Sequence, residues 1–322
     1  MSVAFQAEGL VKRFGKTTAL DGIDLSAEQG SVLGVLGPNG AGKTTAVRIL
    51  ATLLRPDAGR ATVGGHDVVK EAAAVRRLIG LTGQYASVDE DLTGTQNLVL
   101  IGELLDLRRR DAKRRAAELL EWFDLTEAAN RPAKTYSGGM RRRLDLAASL
   151  VGRPAVIYLD EPTTGLDPSK REDMWGVVRS LVGDGSTVLL TTQYLDEADA
   201  LADDISVIDH GKVIAHGTPA QLKQIAGGQT ILVRPIDPAR LGEVATILAA
   251  ISDREPESPG RGVLTVPVDD DQAFASVVRR IDEAGIGVME LSLRLPSLDE
   301  VFFTLTGKKA TADDDDKVEV AA

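Results

Sequence analysis

The chain has 322 residues, no cysteine, three histidines and a formal net charge of −11. Disulfides and thiolate metal sites are therefore excluded, and the scattered His66, His210 and His216 form no metal-ligand spacing. The acidic balance disfavours nucleic acid as a partner, no apolar run approaches the roughly 18–20 residues of a membrane span, and Met1–Gln6 lacks the features of a secretory leader.

The length predicts two domains. Residues 3–36 read as strand-rich, with alternation at Val3–Leu10, a second pairing segment at Ala19–Leu25 and a buried strand at Ser31–Leu36. Gly37-Pro38-Asn39-Gly40-Ala41-Gly42-Lys43-Thr44-Thr45 follows, filling the pattern G-x-x-x-x-G-K-[ST], and Ala46–Leu50 reads as the opening of a helix. A strand before and a helix after make this a phosphate-binding loop. Glycines let successive backbone N–H groups point at a polyphosphate, and the helix N-terminus adds partial positive charge. Lys43 is expected to reach the β- and γ-phosphates, and Thr44 to offer its hydroxyl to Mg²⁺.

Turn signals at Asp57-Ala58-Gly59 and Gly64-Gly65 flank Ala61–Val63, and Leu78–Thr82 is a short apolar strand ending at Gly83-Gln84. From about 86 to 151 helical periodicity takes over, at Asn97–Leu105 and Arg110–Phe123, which predicts a helical insertion. Strand signals return at Ala155–Leu159, Thr187–Thr191 and Ile205–Ile208, so a mainly parallel sheet in an α/β layer is expected. Ser169-Lys170-Arg171-Glu172 predicts a capping box that starts a helix through Leu181. His210-Gly211 reads as a hairpin turn before Val213–Ala215, leaving His210 and His216 as turn residues.

Gly227-Gly228 marks a boundary. Beyond it, strands are expected at Thr230–Arg234, Gly262–Val268 and Gly287–Leu295, with helices at 238–251, 271–284 and 297–306, forming a small α/β unit. Ser297-Leu298-Asp299-Glu300 caps the last helix, and Val301-Phe302-Phe303 is either core or a subunit contact. The tail carries Asp313-Asp314-Asp315-Asp316-Lys317 and is expected to be disordered. The same five residues occur as an engineered protease site, so the run is either native or added.

Val156-Ile157-Tyr158-Leu159-Asp160-Glu161 is an apolar strand ending in two carboxylates. Asp160 is placed to hold Mg²⁺, usually through water, and Glu161 to polarise an attacking water as general base. The plainer reading of Glu161 is a surface carboxylate at a strand end.

Pro162-Thr163-Thr164-Gly165-Leu166-Asp167 follows directly, and Tyr136-Ser137-Gly138-Gly139-Met140-Arg141 lies upstream. On these motifs, in this order, the chain resembles the ATP-binding subunit of ABC transporters over about residues 3–224. Met140 stands where glutamine is commonest in the signature motif, and Tyr136 where leucine is. Gly165-Leu166-Asp167 looks like the D-loop, Gln84 like the Q-loop glutamine, and Phe14 like the aromatic that stacks on the base. The resemblance implies a P-loop NTPase cassette over residues 1–224. Its parts would be a mainly parallel core sheet, a β-rich N-terminal subdomain and a helical subdomain at about 86–151. A C-terminal α/β accessory domain (225–308) and an acidic tail (309–322) would follow. ATP with Mg²⁺ is the expected ligand, and GTP remains a candidate because a π-face contact discriminates poorly between purines.

Ser137-Gly138-Gly139 opens a helix and so presents a hydroxyl and bare N–H groups suited to phosphate. In the family that contact crosses a head-to-tail dimer, so the resemblance implies a homodimer in the ATP-bound state. Gln84 carries an amide that can meet both Mg²⁺ and the attacking water. In most members a histidine follows the strand after the D-loop; here Gln193 stands there, in Thr191-Thr192-Gln193-Tyr194-Leu195-Asp196-Glu197-Ala198-Asp199. An amide donates a hydrogen bond but cannot become a cation, so slow hydrolysis relying on Glu161 is expected.

This run, with the signature segment and Leu295–Phe302, is similar to the daunorubicin-resistance type of subunit. That type implies peripheral attachment to the cytoplasmic face of the cell membrane through a separately encoded permease that exports hydrophobic drugs, antibiotics or lipids. The basic clusters Arg108–Arg110 with Arg114-Arg115, and Arg141–Arg143, would meet anionic headgroups or an acidic partner, or be solvated faces; Arg141–Arg143 could also support the signature helix. Two other functions stay open: a soluble ABC-family ATPase acting on ribosomes or nucleic acid, and a regulatory subunit with little hydrolysis. The single phosphate loop, the absence of sustained heptads and the acidic charge weigh against the first.

Overall fold

A long antiparallel hairpin opens the chain: β1 (Val3–Phe14) returns as β2 (Thr17–Glu28), with Phe14 opposite Thr17. The chain then enters β3 (Val32–Leu36), α1 (Lys43–Leu50), β4 (Ala58–Val63), β5 (His66–Asp67), α2 (Ala72–Leu78) and β6 (Ile79–Thr82). Three helices follow, α3 (Gly94–Leu104), α4 (Arg109–Trp122) and α5 (Gly138–Ser149). The series closes with β7 (Val156–Asp160), α6 (Pro168–Gly183), β8 (Thr187–Thr192), α7 (Leu195–Leu201), β9 (Asp204–Asp209), β10 (Lys212–Gly217) and α8 (Pro219–Ile225). This computed structural model describes residues 2–83, 88–225, 229–252, 254–260, 262–268, 271–294 and 297–306. Gln84, the Gly227-Gly228 boundary, Leu295-Pro296 and the acidic tail lie outside them. The chain divides into two units, Met1–Pro219 and Ala220–Ala322.

The first unit holds two sheets. One is antiparallel, in the order β2-β1-β4-β5; the other runs β10-β9-β3-β8-β7-β6. Every pairing in the second is parallel except the β9–β10 hairpin. Strands β3, β7 and β8 are buried along their whole length, which is why they read as continuous apolar runs and not as alternations. Their side chains still alternate between two cores. Ile157, Leu159, Val188 and Leu190 join Leu98, Leu119 and Leu144 of the helical insertion. Tyr158 and Leu189 face the other way, with Ile49 and Leu50 of α1 and Phe5, Leu10 and Ile23 of the hairpin. The Phe5 and Tyr158 rings meet edge to face at 6.1 Å. At the β9–β10 turn His210 and Gly211 both have positive φ, 46° and 75°, the signs of the type I′ hairpin that suits strand twist.

The helix after the Gly165-Leu166-Asp167 turn corrects one expectation. Ser169 does not cap it. Asp167 does, its Oδ1 accepting from the Lys170 N–H at 3.0 Å, with Pro168 at the first helical position, where its missing N–H costs nothing. Helix α2 has no counterpart in the expected elements: it buries only Val75, so it shows no apolar stripe. Helix α3 begins earlier than its periodicity suggests, at a capping box made by Thr93 and Gln96.

The second unit is β11 (Gln229–Pro235), α9 (Leu241–Ala249), β12 (Glu257–Gly260), β13 (Val263–Val268), α10 (Asp271–Glu283), β14 (Val288–Arg294) and α11 (Leu298–Thr306). Its sheet is antiparallel in the order β12-β13-β11-β14. A β-α-β-β-α-β succession with that order is the ferredoxin-like arrangement. Ile231, Val233, Val244, Leu248, Val266, Val277 and Ile281 form its core. Ser297 Oγ accepts from the Glu300 N–H at 3.2 Å, the expected cap, and Val301 and Phe302 are buried.

Among the buried carboxylates of the first unit, one has its titration clearly moved by burial. Glu197, on the turn of α7 that follows Gln193, is 0 % exposed and accepts from Trp175 Nε1 at 3.3 Å. Burial pushes its carboxyl above the ordinary value of 4.5, against the opposing pull of the Thr192 and Thr163 hydroxyls nearby and of the Trp175 N–H. The unfolded chain therefore loses this proton at lower pH than the folded one, and Glu197 subtracts stability as pH rises through that window. Glu197→Gln removes the titration and keeps the acceptor. The melting temperature of the variant relative to wild type should climb as pH rises above about 4.5, the ordinary carboxyl value. A pH-independent difference would contradict the burial argument.

Candidate nucleotide-binding site

The loop between β3 and α1 leaves no room for side chains at two glycines. A Cβ on Gly37 would sit 2.2 Å from the Ile208 carbonyl oxygen. Gly42 has φ +113°, and a Cβ there would meet the Ala19 carbonyl oxygen at 2.5 Å. The loop is braced from behind by the β9–β10 turn: the Gly211 N–H donates to the Ala41 carbonyl at 3.0 Å, and the Gly211 carbonyl accepts from the Asp21 N–H at 2.8 Å. Gly42 is the cap of α1 and provides no side-chain acceptor, so the first-turn N–H groups remain free for an anion.

Lys43 is only 4 % exposed. Its ammonium donates to the carbonyls of Gly37 (2.7 Å) and Pro38 (3.2 Å) and pairs with Glu161 Oε1 at 3.2 Å. Thr44 Oγ1 donates to Asp160 Oδ1 at 3.1 Å, and Thr191 Oγ1 donates to the same oxygen at 2.6 Å. The ends of β3, β7 and β8 thus bring Lys43, Thr44, Asp160 and Glu161 together, at the carboxyl edge where ligands of open α/β sheets bind. Thr191 is a member of this cluster whose sequence signal is weak: one threonine in an apolar strand.

Glu161 adopts φ +51°, a left-handed conformation that costs a non-glycine residue about 1–3 kcal/mol. It is held there: its N–H donates to Thr191 Oγ1 (3.0 Å) and to the Thr191 carbonyl (3.1 Å), and its Oε2 accepts from Thr164 Oγ1 at 3.4 Å.

The donor set fits Mg²⁺. Thr44 and Asp160 provide adjacent hard oxygens, and no group of three or more His, Cys, Asp or Glu side chains suited to a metal occurs among the described residues. Such a site supplies few protein ligands and leaves the rest to phosphate and water, as Mg²⁺ sites with nucleotides do.

The other expected residues sit apart. Ser137 caps α5, its Oγ accepting from the Met140 N–H at 3.3 Å, and is exposed. Asp167 is tied to Lys170, whose Nζ donates to Oδ2, and that bond with the backbone cap holds its carboxyl below the usual value. Ser137, Gly139, Met140, Leu166 and Lys170 share a groove of about 430 Å³. Among the described residues, no hydrogen bond or ion pair joins Ser137, Gly138 or Gly139 to Gly37–Thr45. Phe14 is 51 % exposed at the end of the first hairpin, with the Lys12 ammonium 5.6 Å from its ring centre. Gln193 follows β8 directly and is half-buried.

Comparison with known proteins agrees with this geometry. A family model described as ABC transporter matches residues 20–164. The chain is 55 % identical over 320 residues to a daunorubicin resistance ATP-binding protein of Streptomyces coeruleorubidus, covering 99 % of each. It is 51 % identical over 322 residues to a daunorubicin/doxorubicin resistance ATP-binding protein of Streptomyces peucetius, covering 99 % of this chain and 96 % of the relative. An ATP-binding cassette of an ABC transporter, solved in its ADP conformation, superposes with a TM-score of 0.62 at 27 % identity, over 68 % of this chain and 92 % of that one. A cassette solved as a dimer in a post-hydrolysis state with ADP and Pi gives 0.61 at 25 %, over 66 % and 98 %. The chain belongs to the ABC transporter family, as an ATP-binding and ATP-hydrolysing subunit of the daunorubicin-resistance type.

Proposed function

We propose that this chain is the motor of a drug exporter, working as two copies that close on ATP and drive a separate membrane subunit. The observation that carries this reading is the division of the site. Lys43, Thr44, Asp160 and Glu161 converge at one sheet edge, whereas Ser137-Gly138-Gly139 caps an exposed helix with no tie to that edge. Half of a triphosphate site in each place calls for a second copy in head-to-tail register, and a related cassette has been solved as a dimer.

In this reading the glycine loop and Lys43 cradle the β- and γ-phosphates, Phe14 stacks on the base, and the partner copy's signature loop caps the γ-phosphate. Thr44 and Asp160 would hold Mg²⁺, which would supply positive charge for the phosphates; Gln84, the other expected contact, lies outside the described residues. Glu161, on its fixed backbone, accepts a proton from the attacking water. Gln193 donates a neutral hydrogen bond where a histidine could carry charge. Asp167 belongs to the same interface.

The cargo assignment rests on relatives named for daunorubicin, doxorubicin and linearmycin resistance, and extends to hydrophobic drugs, antibiotics and lipids. None of the described helices is long and apolar enough to cross a membrane, so the path for cargo falls to a permease partner, with this subunit at the cytoplasmic face. A regulatory subunit with slow hydrolysis is the second reading, favoured by Gln193 alone.

Lys43→Ala should weaken ATP binding about 10- to 100-fold by removing a charge-assisted contact, measured by equilibrium titration. Glu161→Gln should slow single-turnover hydrolysis about 10²- to 10⁴-fold and let an ATP-bound dimer accumulate on gel filtration. A monomer that persists with ATP bound would contradict the two-copy site. Gln193→His should raise turnover above wild type; an equal or lower rate would count against histidine as the absent accelerator.

A further inference from the structure

The basic triplet on α5 is not uniform. Arg141 reaches out to Glu90 at 2.7 Å, and Arg143 to Asp124 at 3.5 Å. Arg142 turns inward and spends its guanidinium on backbone carbonyls. Nε donates to Pro162 at 3.0 Å, Nη1 to Gly83 at 2.9 Å, and Nη2 to Glu161 at 3.0 Å and, at longer range, to Asp160 at 3.4 Å. These carbonyls lie at and just beyond the ends of β6 and β7, where the sheet ladder gives out and donors must come from elsewhere.

The consequence falls on Glu161. Its left-handed peptide is gripped from both sides, the N–H by Thr191 and the carbonyl by Arg142. Five residues upstream of Arg142, the same helix begins at Ser137. A single side chain therefore spans from the signature helix to the backbone that aims the carboxylate. Arginine suits this position because its planar fork serves four divergent acceptors from three nitrogens, whereas an ammonium is a point donor and a glutamine amide has two N–H groups on one atom.

We propose that Arg142 is a positioning residue for ATP hydrolysis, tying the helix that starts at Ser137 to the Glu161 peptide so that the two are set together. The proposal rests on Glu161 as general base. It goes beyond electrostatic support of the helix, because the geometry of the fork, and not its charge, does the positioning.

The test uses the full chain with Arg142→Lys and Arg142→Gln, each alone and combined with Glu161→Gln. Four quantities are read: ATP affinity, melting temperature, single-turnover hydrolysis and its change in the double variants. Affinity should stay within about threefold of wild type while hydrolysis falls about tenfold or more, a loss confined to the chemical step. Lysine should not restore the rate, although it restores the charge. In the Glu161→Gln background either substitution should add little, since both act through one carboxylate. Full rescue by lysine, an undiminished rate, a full additive loss in the double variants, or parallel loss of affinity and melting temperature would each overturn the proposal. Should Arg142→Gln fail to fold, Arg142→Lys carries the test; failure of both to fold makes Arg142 structural and overturns it as well. Undiminished hydrolysis by Glu161→Gln alone would remove the base assignment, and the proposal with it.

Discussion

One carboxylate oxygen organises the carboxyl edge of the central sheet. Asp160 Oδ1 accepts from Thr44 at 3.1 Å and Thr191 at 2.6 Å, so the end of β7 is tied to the start of α1 and to β8. Asp160 is itself buried, and a buried carboxylate without donors would be costly. The two threonines answer that requirement and in doing so fix where the phosphate loop stands relative to Glu161. Lys43 closes the arrangement from the other side, pairing with Glu161 and donating to the Gly37 and Pro38 carbonyls of its own loop. Lys43, Thr44, Asp160, Glu161 and Thr191 thus hold one another, which is how such a cluster stays ordered in a buried setting.

The two cores make this edge rigid for different reasons. On one side of β7 and β8, α1 and the first hairpin pack beneath the phosphate loop; on the other, the helical insertion packs through Leu98, Leu119 and Leu144. Because alternate residues of the same strand serve both, a shift of the insertion is felt by the strand that ends in Asp160. Interiors packed to this density pass displacement on and do not absorb it. Arg142 adds a polar tie along the same route.

Much of this is legible in residue order. The phosphate loop, Asp160 and Glu161 announce themselves because their chemistry demands particular residues at fixed spacing, and the flanking apolar runs place them on strand ends. The solid burial of β3, β7 and β8 can be read from runs without polar interruption. What escapes does so for physical reasons. The start of α6 misleads because Ser169 fits a capping pattern that Asp167 and Pro168, just upstream, satisfy better. Helix α2 lacks a stripe. The order of strands in the C-terminal sheet depends on pairings between distant segments, and local pattern carries no record of them. Arg142 looks like its two neighbours; only the packed structure shows which long side chain turns inward. Glu197 likewise reads as one acid in an acidic run until its surroundings are seen.

The position of β3 carries a consequence for biosynthesis. Its two neighbours in the sheet are β8 and β9, whose paired residues follow it by 156 positions (Val32 opposite Val188) and 171 positions (Leu33 opposite Asp204), and the brace behind the glycine loop comes later still, from Gly211. During translation β3 and the glycine loop after it emerge early yet stay without their sheet partners until the hairpin at 204–217 has left the ribosome. A nascent or prematurely terminated chain therefore exposes a bare apolar strand and has no formed loop, which makes it a client for chaperones and not a premature ATPase.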